Sequence, residues 1–332
     1  MNLRSLLLLA PLLAAAQDSY TAPRVVAVGD VHGDFGQLTT VLRDAGLIDA
    51  RNQWTGGKAH LVQTGDVPDR GPETRQALEL LMDLERQAKK AGGAVHALIG
   101  NHEAMNVYGD LRYVTPAEFT AFQTKDSAKV RQQYWERLAD EMKQNPAGQQ
   151  PDDAFRAKWE AETPPGFIEH RMAYGPEGQY GKWIRRHNTV VKVNDTIFLH
   201  GGIGPKYADW TLKAINEKIR EELKDFSKLP GGVTQDEAGP LWYRGPAELP
   251  ESEQAALVDL VLAKQGVKRI VMAHTPGPGV RTRFGGKVVL IDVGMSKVYG
   301  GPAACLVLEG AEAFTIHQGK KMAIPAGVEL AK

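Results

Sequence analysis

The sequence predicts an α/β sandwich, on three observations. Short β-rich apolar runs alternate with stretches of helical periodicity. The early runs each end on an Asp, His or Asn beside a glycine, where the backbone can turn sharply. One long segment, after Pro72, carries an apolar stripe at helical spacing. A chain of 332 residues can bury a large core, and its length allows one large domain or two.

The N-terminus reads as an export signal. Arg4 is a short positive n-region, Leu6 to Ala16 is apolar, and Ala14-Ala15-Ala16 offers small residues for cleavage before Gln17. The apolar stretch is too short for a bilayer, which takes about 20 residues, and no cysteine adjoins it for lipid attachment. Residues 1 to 16 are therefore expected to be a signal peptide. Residues 17 to 332 would then be the mature domain, periplasmic or secreted, without stable membrane association.

The strand-like run Arg24 to Val28 leads into Gly29-Asp-Val-His-Gly33, and Ala59 to Thr64 leads into Gly65-Asp-Val-Pro-Asp-Arg-Gly71. The helix that follows begins with Pro72 in its first turn, places Ala77, Leu80, Leu81, Leu84 and Ala88 on one face, and stops at Gly92-Gly93. Ala94 to Ile99 is a third strand and ends at Gly100-Asn-His-Glu103. Residues 104 to 188 are polar and helix-rich, with Phe119, Phe122, Tyr134, Trp135 and Trp159, and are interrupted by Pro146, Pro151 and Pro164-Pro165. So long a link between strands reads as an inserted helical cap beside the site, its rings lining one wall of the cleft. Val190 to Val193 and Thr196 to Leu199 flank Asn194-Asp195, a hairpin signal that delivers His200-Gly-Gly202. Runs at 267 to 273, 287 to 293, 304 to 308 and 313 to 317 look like a second sheet, and His274 follows the first of them.

The four glycine-flanked segments together supply a metal site. Asp30 and His32, one residue apart on an extended segment, can reach a first cation. Asp66 is the candidate bridging carboxylate, and Asn101, His200 and His274 complete a second cation's shell. Two cations about 3.5–4 Å apart can share a carboxylate, acidify a water and bind charge developing on phosphate oxygens. Three imidazoles with three oxygen donors suit Mn²⁺, Fe or Zn²⁺ better than an all-oxygen magnesium cage.

On these motifs the chain resembles the phosphoprotein phosphatase family of metallophosphoesterases over roughly residues 24 to 317, most closely its Shewanella-like branch. Leu241-Trp-Tyr-Arg244 and Ile291-Asp-Val-Gly-Met-Ser296 look like further motifs of that branch. The eukaryotic members' SAPNYC-type loop has no counterpart, so their substrate preference and toxin sensitivity do not carry over. The resemblance implies a four-layer α/β/β/α sandwich with the metals at the strand ends. It makes Asp30, His32, Asp66, Asn101, His200 and His274 the ligands of two divalent cations, with Mn²⁺ the expected metal. His102 would be the general acid, Asp69 its orienting partner, and Arg70 and Arg244 the phosphate clamps.

The expected activity is phosphomonoester hydrolysis on phosphorylated protein or peptide, at Tyr or Ser/Thr, by in-line attack of a metal-bridging hydroxide. Hydrolysis of nucleotides or dinucleoside polyphosphates is the alternative within enzymes. A non-catalytic metal or phosphate-binding module is the alternative outside them, and the presence of Asp69, Arg70 and His102 speaks against it. Lys plus Arg equals Asp plus Glu at 40 each, so no basic excess recruits nucleic acid. The single cysteine, Cys305, lies in an apolar run and reads as a buried strand residue without a disulfide. His60, His96, His170, His187 and His317 fall outside the motifs and read as structural or exposed.

Overall fold

The computed structural model describes residues 17–144 and 148–325; the expected signal peptide and Pro146 lie outside the described residues. In chain order the elements are β1 Ser19–Tyr20, β2 Arg24–Val28, α1 Phe35–Asp44, β3 His60–Gln63, α2 Thr74–Lys90, β4 Ala94–Ala97 and α3 Asn101–Tyr108. Five helices follow: α4 Pro116–Ala121, α5 Ser127–Lys143, α6 Asp153–Glu162, α7 Phe167–Tyr174 and α8 Gln179–Ile184. Then come β5 Val190–Val193, β6 Thr196–Leu199, α9 Leu212–Glu222, α10 Gly245–Glu248, α11 Glu251–Gln265, β7 Arg269–Met272, β8 Arg281–Arg283 and β9 Val288–Leu290. The last strands are β10 Ala304–Glu309, β11 Glu312–His317 and β12 Lys320–Met322.

The strands form two six-stranded mixed sheets, ordered β12-β11-β10-β2-β3-β4 and β1-β5-β6-β7-β9-β8. β2, β3 and β4 run parallel, with Val25 opposite His60 and His60 opposite Ala94. The inner strands β2 and β3 are buried on both faces, as parallel strands between layers require, while the edge strand β4 is only partly buried. Tyr20 of β1 lies against the rings of His60 and His96, which seats one end of the second sheet on the first. α2 covers the outer face of the first sheet with Ala77, Leu81 and Leu84 fully buried, and α9 covers the second with Ile215 and Ile219.

Two expectations need correction. The runs at 304–308 and 313–317 belong to the first sheet, because β10 pairs antiparallel with β2 (Leu306 opposite Ala27) and β11 pairs with β10. Of these four runs only 267–273 and 287–293 join the second sheet, where β7 lies parallel to β6 and β9. Alternation marks a strand as half or wholly buried but does not say which edge it joins. Helix α2 starts later than expected: Glu73 is its N-cap, so Pro72 precedes the helix and does not sit in its first turn. Cys305 is buried in β10, which pushes its thiol up to about 12.

Among the described residues no helix is long and apolar enough to cross a membrane. Of the rings expected to line the cleft, Phe119, Phe122 and Trp135 do not, whereas Tyr113 of the same inserted region does reach the site, against His102 and Arg70. Phe119, Phe122 and Trp135 are buried, with Phe119 against Phe167 and His170, and Trp135 against Phe155 and Trp159. Rings of this size make the core of a small helical layer that the short helices could not otherwise hold together.

Candidate metal centre and active site

All six expected ligands converge where the C-terminal ends of the strands open. The loops after β2 and β3 are stitched by backbone bonds: the N–H groups of Val31 and His32 donate to Asp66 O at 2.9 and 3.0 Å, and Gly33 N–H donates to Val67 O at 2.8 Å. Nine non-glycine residues among those described have positive φ, and five are His32, Asp66, Asp69, Arg70 and His274. Such backbone costs about 1–3 kcal/mol per residue and persists where surrounding structure forces it, most often at functional sites. Gly100 is required at its position, since a Cβ there would lie 2.3 Å from Asp66 Oδ1.

Asp66 is the centre of the constellation. Its Oδ2 lies 3.9 Å from His32 Nε2, 3.7 Å from His102 Nε2 and 3.2 Å from His200 Nε2. His32, Asp66 and His102 form one close group, and Asp66, His200 and His274 form another, so the two groups share this carboxylate. Asp30 completes the arrangement, with its Oδ2 3.7 Å from His32 Nε2 and its Oδ1 3.8 Å from His200 Nδ1.

The hydrogen-bond partners decide which ring atoms face inward. His32 Nδ1 lies 3.2 Å from the Pro68 carbonyl and His200 Nδ1 3.0 Å from the Thr64 carbonyl, so in each ring Nδ1–H donates outward and the Nε2 lone pair points to the centre. His200 Nε2 then meets Asn101 Oδ1 at 2.8 Å and His274 Nδ1 at 2.9 Å. With its proton on Nδ1, His200 presents Nε2 as an acceptor beside Asn101 Oδ1 and the Asp66 carboxylate, a convergence of acceptors that a divalent cation would satisfy. Burial and this crowding act on the charges as well. Burial lowers His32 to about 3, and burial with the neighbouring His200 lowers His274 to about 2, which leaves both neutral and free to ligate. Burial, with the Asp292 and Asp66 carboxylates, raises Asp30 well above the usual range, a repulsion that a cation would cancel.

Behind the ligands stands a proton-carrying pair. His102 Nδ1 lies 2.5 Å from Asp69 Oδ2, and Asn106 Nδ2 donates to Asp69 Oδ1 at 2.8 Å. Burial opposes the imidazolium of His102, but the carboxylates of Asp66 and Asp69 outweigh it and raise the pKa. Arg70 is held by its own N–H to Tyr113 O at 3.1 Å and by Tyr rings on either hand, with its guanidinium carbon 4.6 Å from the Tyr113 centroid and 5.4 Å from that of Tyr299. Arg244 stands at the other side, where its Nη1 donates to His274 O at 2.5 Å and to Thr275 Oγ1 at 3.0 Å.

Four residues here escape the sequence reading. Glu103 accepts the N–H groups of Asp66, Val67 and Gly100, each at 2.8 Å, and so holds the strained turn that presents Asp66. Asp292, buried beside Asp30, lines the same centre. Both sit inside motifs already singled out, Gly100–Glu103 and Ile291–Ser296, so a signal existed for them. Tyr113 and Tyr299 lie outside all four glycine-flanked motifs and reach Arg70 only through the tertiary fold.

The chain is similar to known phosphoesterases in sequence and fold. The family model for calcineurin-like phosphoesterases matches residues 23–293. An uncharacterized protein of Schizosaccharomyces pombe is 35% identical over 294 residues, covering 85% of this chain and 76% of its own length. Shewanella-like protein phosphatase 2 of Arabidopsis thaliana is 34% identical over 287 residues, covering 82% and 72%. A solved cold-active protein-tyrosine phosphatase from a psychrophilic Shewanella superposes with a TM-score of 0.72 at 29% identity, over 93% of this chain and 83% of that one.

Proposed function

Because the chain belongs to the calcineurin-like phosphoesterase family and is a metal-dependent phosphatase, we propose that it hydrolyses phosphomonoesters on phosphorylated protein side chains with two divalent cations, Mn²⁺ foremost. The observation that supports this reading is Asp66 standing between His32 and Asp30 on one side and His200 and His274 on the other, with the His102–Asp69 pair facing the same carboxylate. The names of the relatives, a Shewanella-like protein phosphatase and a protein-tyrosine phosphatase, support protein substrates.

Asp30, His32, Asp66, Asn101, His200 and His274 would hold the cations. Bound there, the cations supply charge for the phosphate oxygens and a water acidic enough to attack at neutral pH. The chain's own residues do the rest. Arg70, oriented by Tyr113 and Tyr299, is free to pair its planar fork with phosphate oxygens, and Arg244 adds a second cation at the rim. His102, held by Asp69 and kept protonated by the surrounding carboxylates, donates a proton from Nε2 to the leaving oxygen. Asp69 receives no proton in this scheme; it fixes the ring and favours the imidazolium. The N-terminal pattern of Arg4, the apolar run Leu6 to Ala16 and the small residues before Gln17 supports export and action in the periplasm or medium.

Metal dependence tests the reading. Chelation should abolish hydrolysis of p-nitrophenyl phosphate and of phosphopeptides, and Mn²⁺ should restore both at two ions per chain by elemental analysis. Full activity at one ion per chain would sink it.

A further inference from the structure

A groove of about 950 Å³ opens beside the metal centre, at Arg244 and Thr275. It runs between the edges of the two sheets, with Val280 and Arg281 on one side and Thr315, His317 and Met322 on the other. Its walls are mostly apolar and its charges are lopsided. Arg244, Arg281 and Arg283 line it, and Glu248, half exposed and 4.0 Å from Arg244, is its one acid among the described residues.

The three arginines are not equivalent. Arg283 is saturated: it donates to Pro246 O and Leu249 O at 2.9 Å and pairs with Glu251 at 3.5 Å. Arg244 is anchored to His274 O and Thr275 at the mouth. Arg281 is different, since its one hydrogen bond among the described residues is a 3.5 Å contact from Nη1 to Gly279 O. Its guanidinium lies on the bare backbone of Gly277, where a Cβ would come within 1.8 Å of Nη1. The groove therefore keeps a partly buried guanidinium with no salt bridge within 4 Å among the described residues, in a seat that glycine makes possible. Burial and Arg283 disfavour its charge and the Asp292 carboxylate favours it, so an acidic group arriving in the groove would add the close partner it lacks.

We propose that this groove binds the peptide flanking the phosphorylated residue, in extended form, with an acidic side chain of that peptide on Arg281. The inference rests on the protein-phosphatase reading above and adds a sequence preference to it. An apolar wall takes alternate side chains of an extended strand, while a charge across it selects partners. The groove shares Arg244 and Thr275 with the loop that carries His274, so it adjoins the metal centre on that side.

The test uses Mn²⁺-loaded enzyme and phosphopeptides that are identical except for Glu, Ala or Lys at single flanking positions. The Glu peptide should exceed the Lys peptide in kcat/KM by roughly tenfold at one or two of these positions, the scale of one partly desolvated charge contact. Arg281→Glu should reverse that order and Gly277→Ala should flatten it, while p-nitrophenyl phosphate turnover and the melting temperature stay within error of wild type. Wild type indifferent to flanking charge, or Arg281→Glu keeping the Glu preference, would overturn the proposal with the phosphatase reading intact. Failure on every phosphopeptide beside good turnover of diadenosine polyphosphates cut by Arg281→Glu would overturn both and hand the groove to a second phosphate.

Discussion

His170 allows the sharpest quantitative prediction, because its surroundings isolate one ionisation. The ring is 0% exposed, boxed by Phe119, Phe122 and Tyr174, and neither nitrogen has a hydrogen-bond partner among the described residues. Burial, with some help from Arg171, lowers its pKa from 6.5 to about 3. The folded pKa is depressed, so the stability held by the neutral ring is complete above pH 6.5 and is lost as the pH falls toward 3. At pH 5 only the unfolded chain takes up the proton, and the loss comes to about 2 kcal/mol, rising to a ceiling on the order of 5 kcal/mol at pH 3. His170→Phe keeps the ring and removes both the titration and a buried N–H whose lack of a partner costs about 1–3 kcal/mol. The variant should therefore be more stable at pH 7.5 by about 1–3 kcal/mol and gain about 2 kcal/mol further at pH 5. Urea midpoints of both proteins from pH 8 to 4.5, with the same metal present, measure the difference free of losses common to both. A variant curve parallel to wild type over that range would refute the reasoning, since it would mean the folded ring takes up the proton as readily as the unfolded one.

Three further outcomes follow from the site. His102→Ala should lower turnover of alkyl phosphates by roughly 10²–10⁴-fold and of p-nitrophenyl phosphate far less, since a good leaving group needs little protonation; Asp69→Asn should be a milder copy. Equal losses on both substrates with metals bound would assign His102 another role. Because the Asp66 and Asp69 carboxylates outweigh burial and raise its pKa, wild-type turnover of alkyl phosphates should decline with rising pH later than the ordinary imidazole value would dictate, and Asp69→Asn should move that decline to lower pH. Glu103→Gln places an amide N–H₂ against at least one of three backbone N–H donors, so stability should fall by about 1.5–3 kcal/mol and metal affinity with it; unchanged metal titration would show that the turn at Asp66 stands without that carboxylate. Finally, N-terminal sequencing of exported protein should begin at or near Gln17, and Met1 retained in the membrane fraction would overturn the export reading.

Asp69, Arg70 and His102 are picked out by the family resemblance, whereas the six ligand candidates can be picked out in sequence from local chemistry: an apolar strand, a glycine turn, and a donor atom just beyond the strand end. The hairpin at Asn194-Asp195 is legible for the same reason, with Asn194 in the left-handed region as the turn demands. Tertiary structure alone decided that β10 and β11 join the first sheet, that the rings of the inserted helices pack on one another, and that Tyr113 and Tyr299 flank Arg70. It also decided that Glu103 holds the Asp66 turn and that Arg281, with no salt bridge among the described residues, lines a groove between sheet edges. Periodicity reports which face of an element is buried, but its partner is chosen by non-local pairing and packing. Residues far apart in the chain, such as Tyr113 and Tyr299, carry no shared pattern until the fold brings them together.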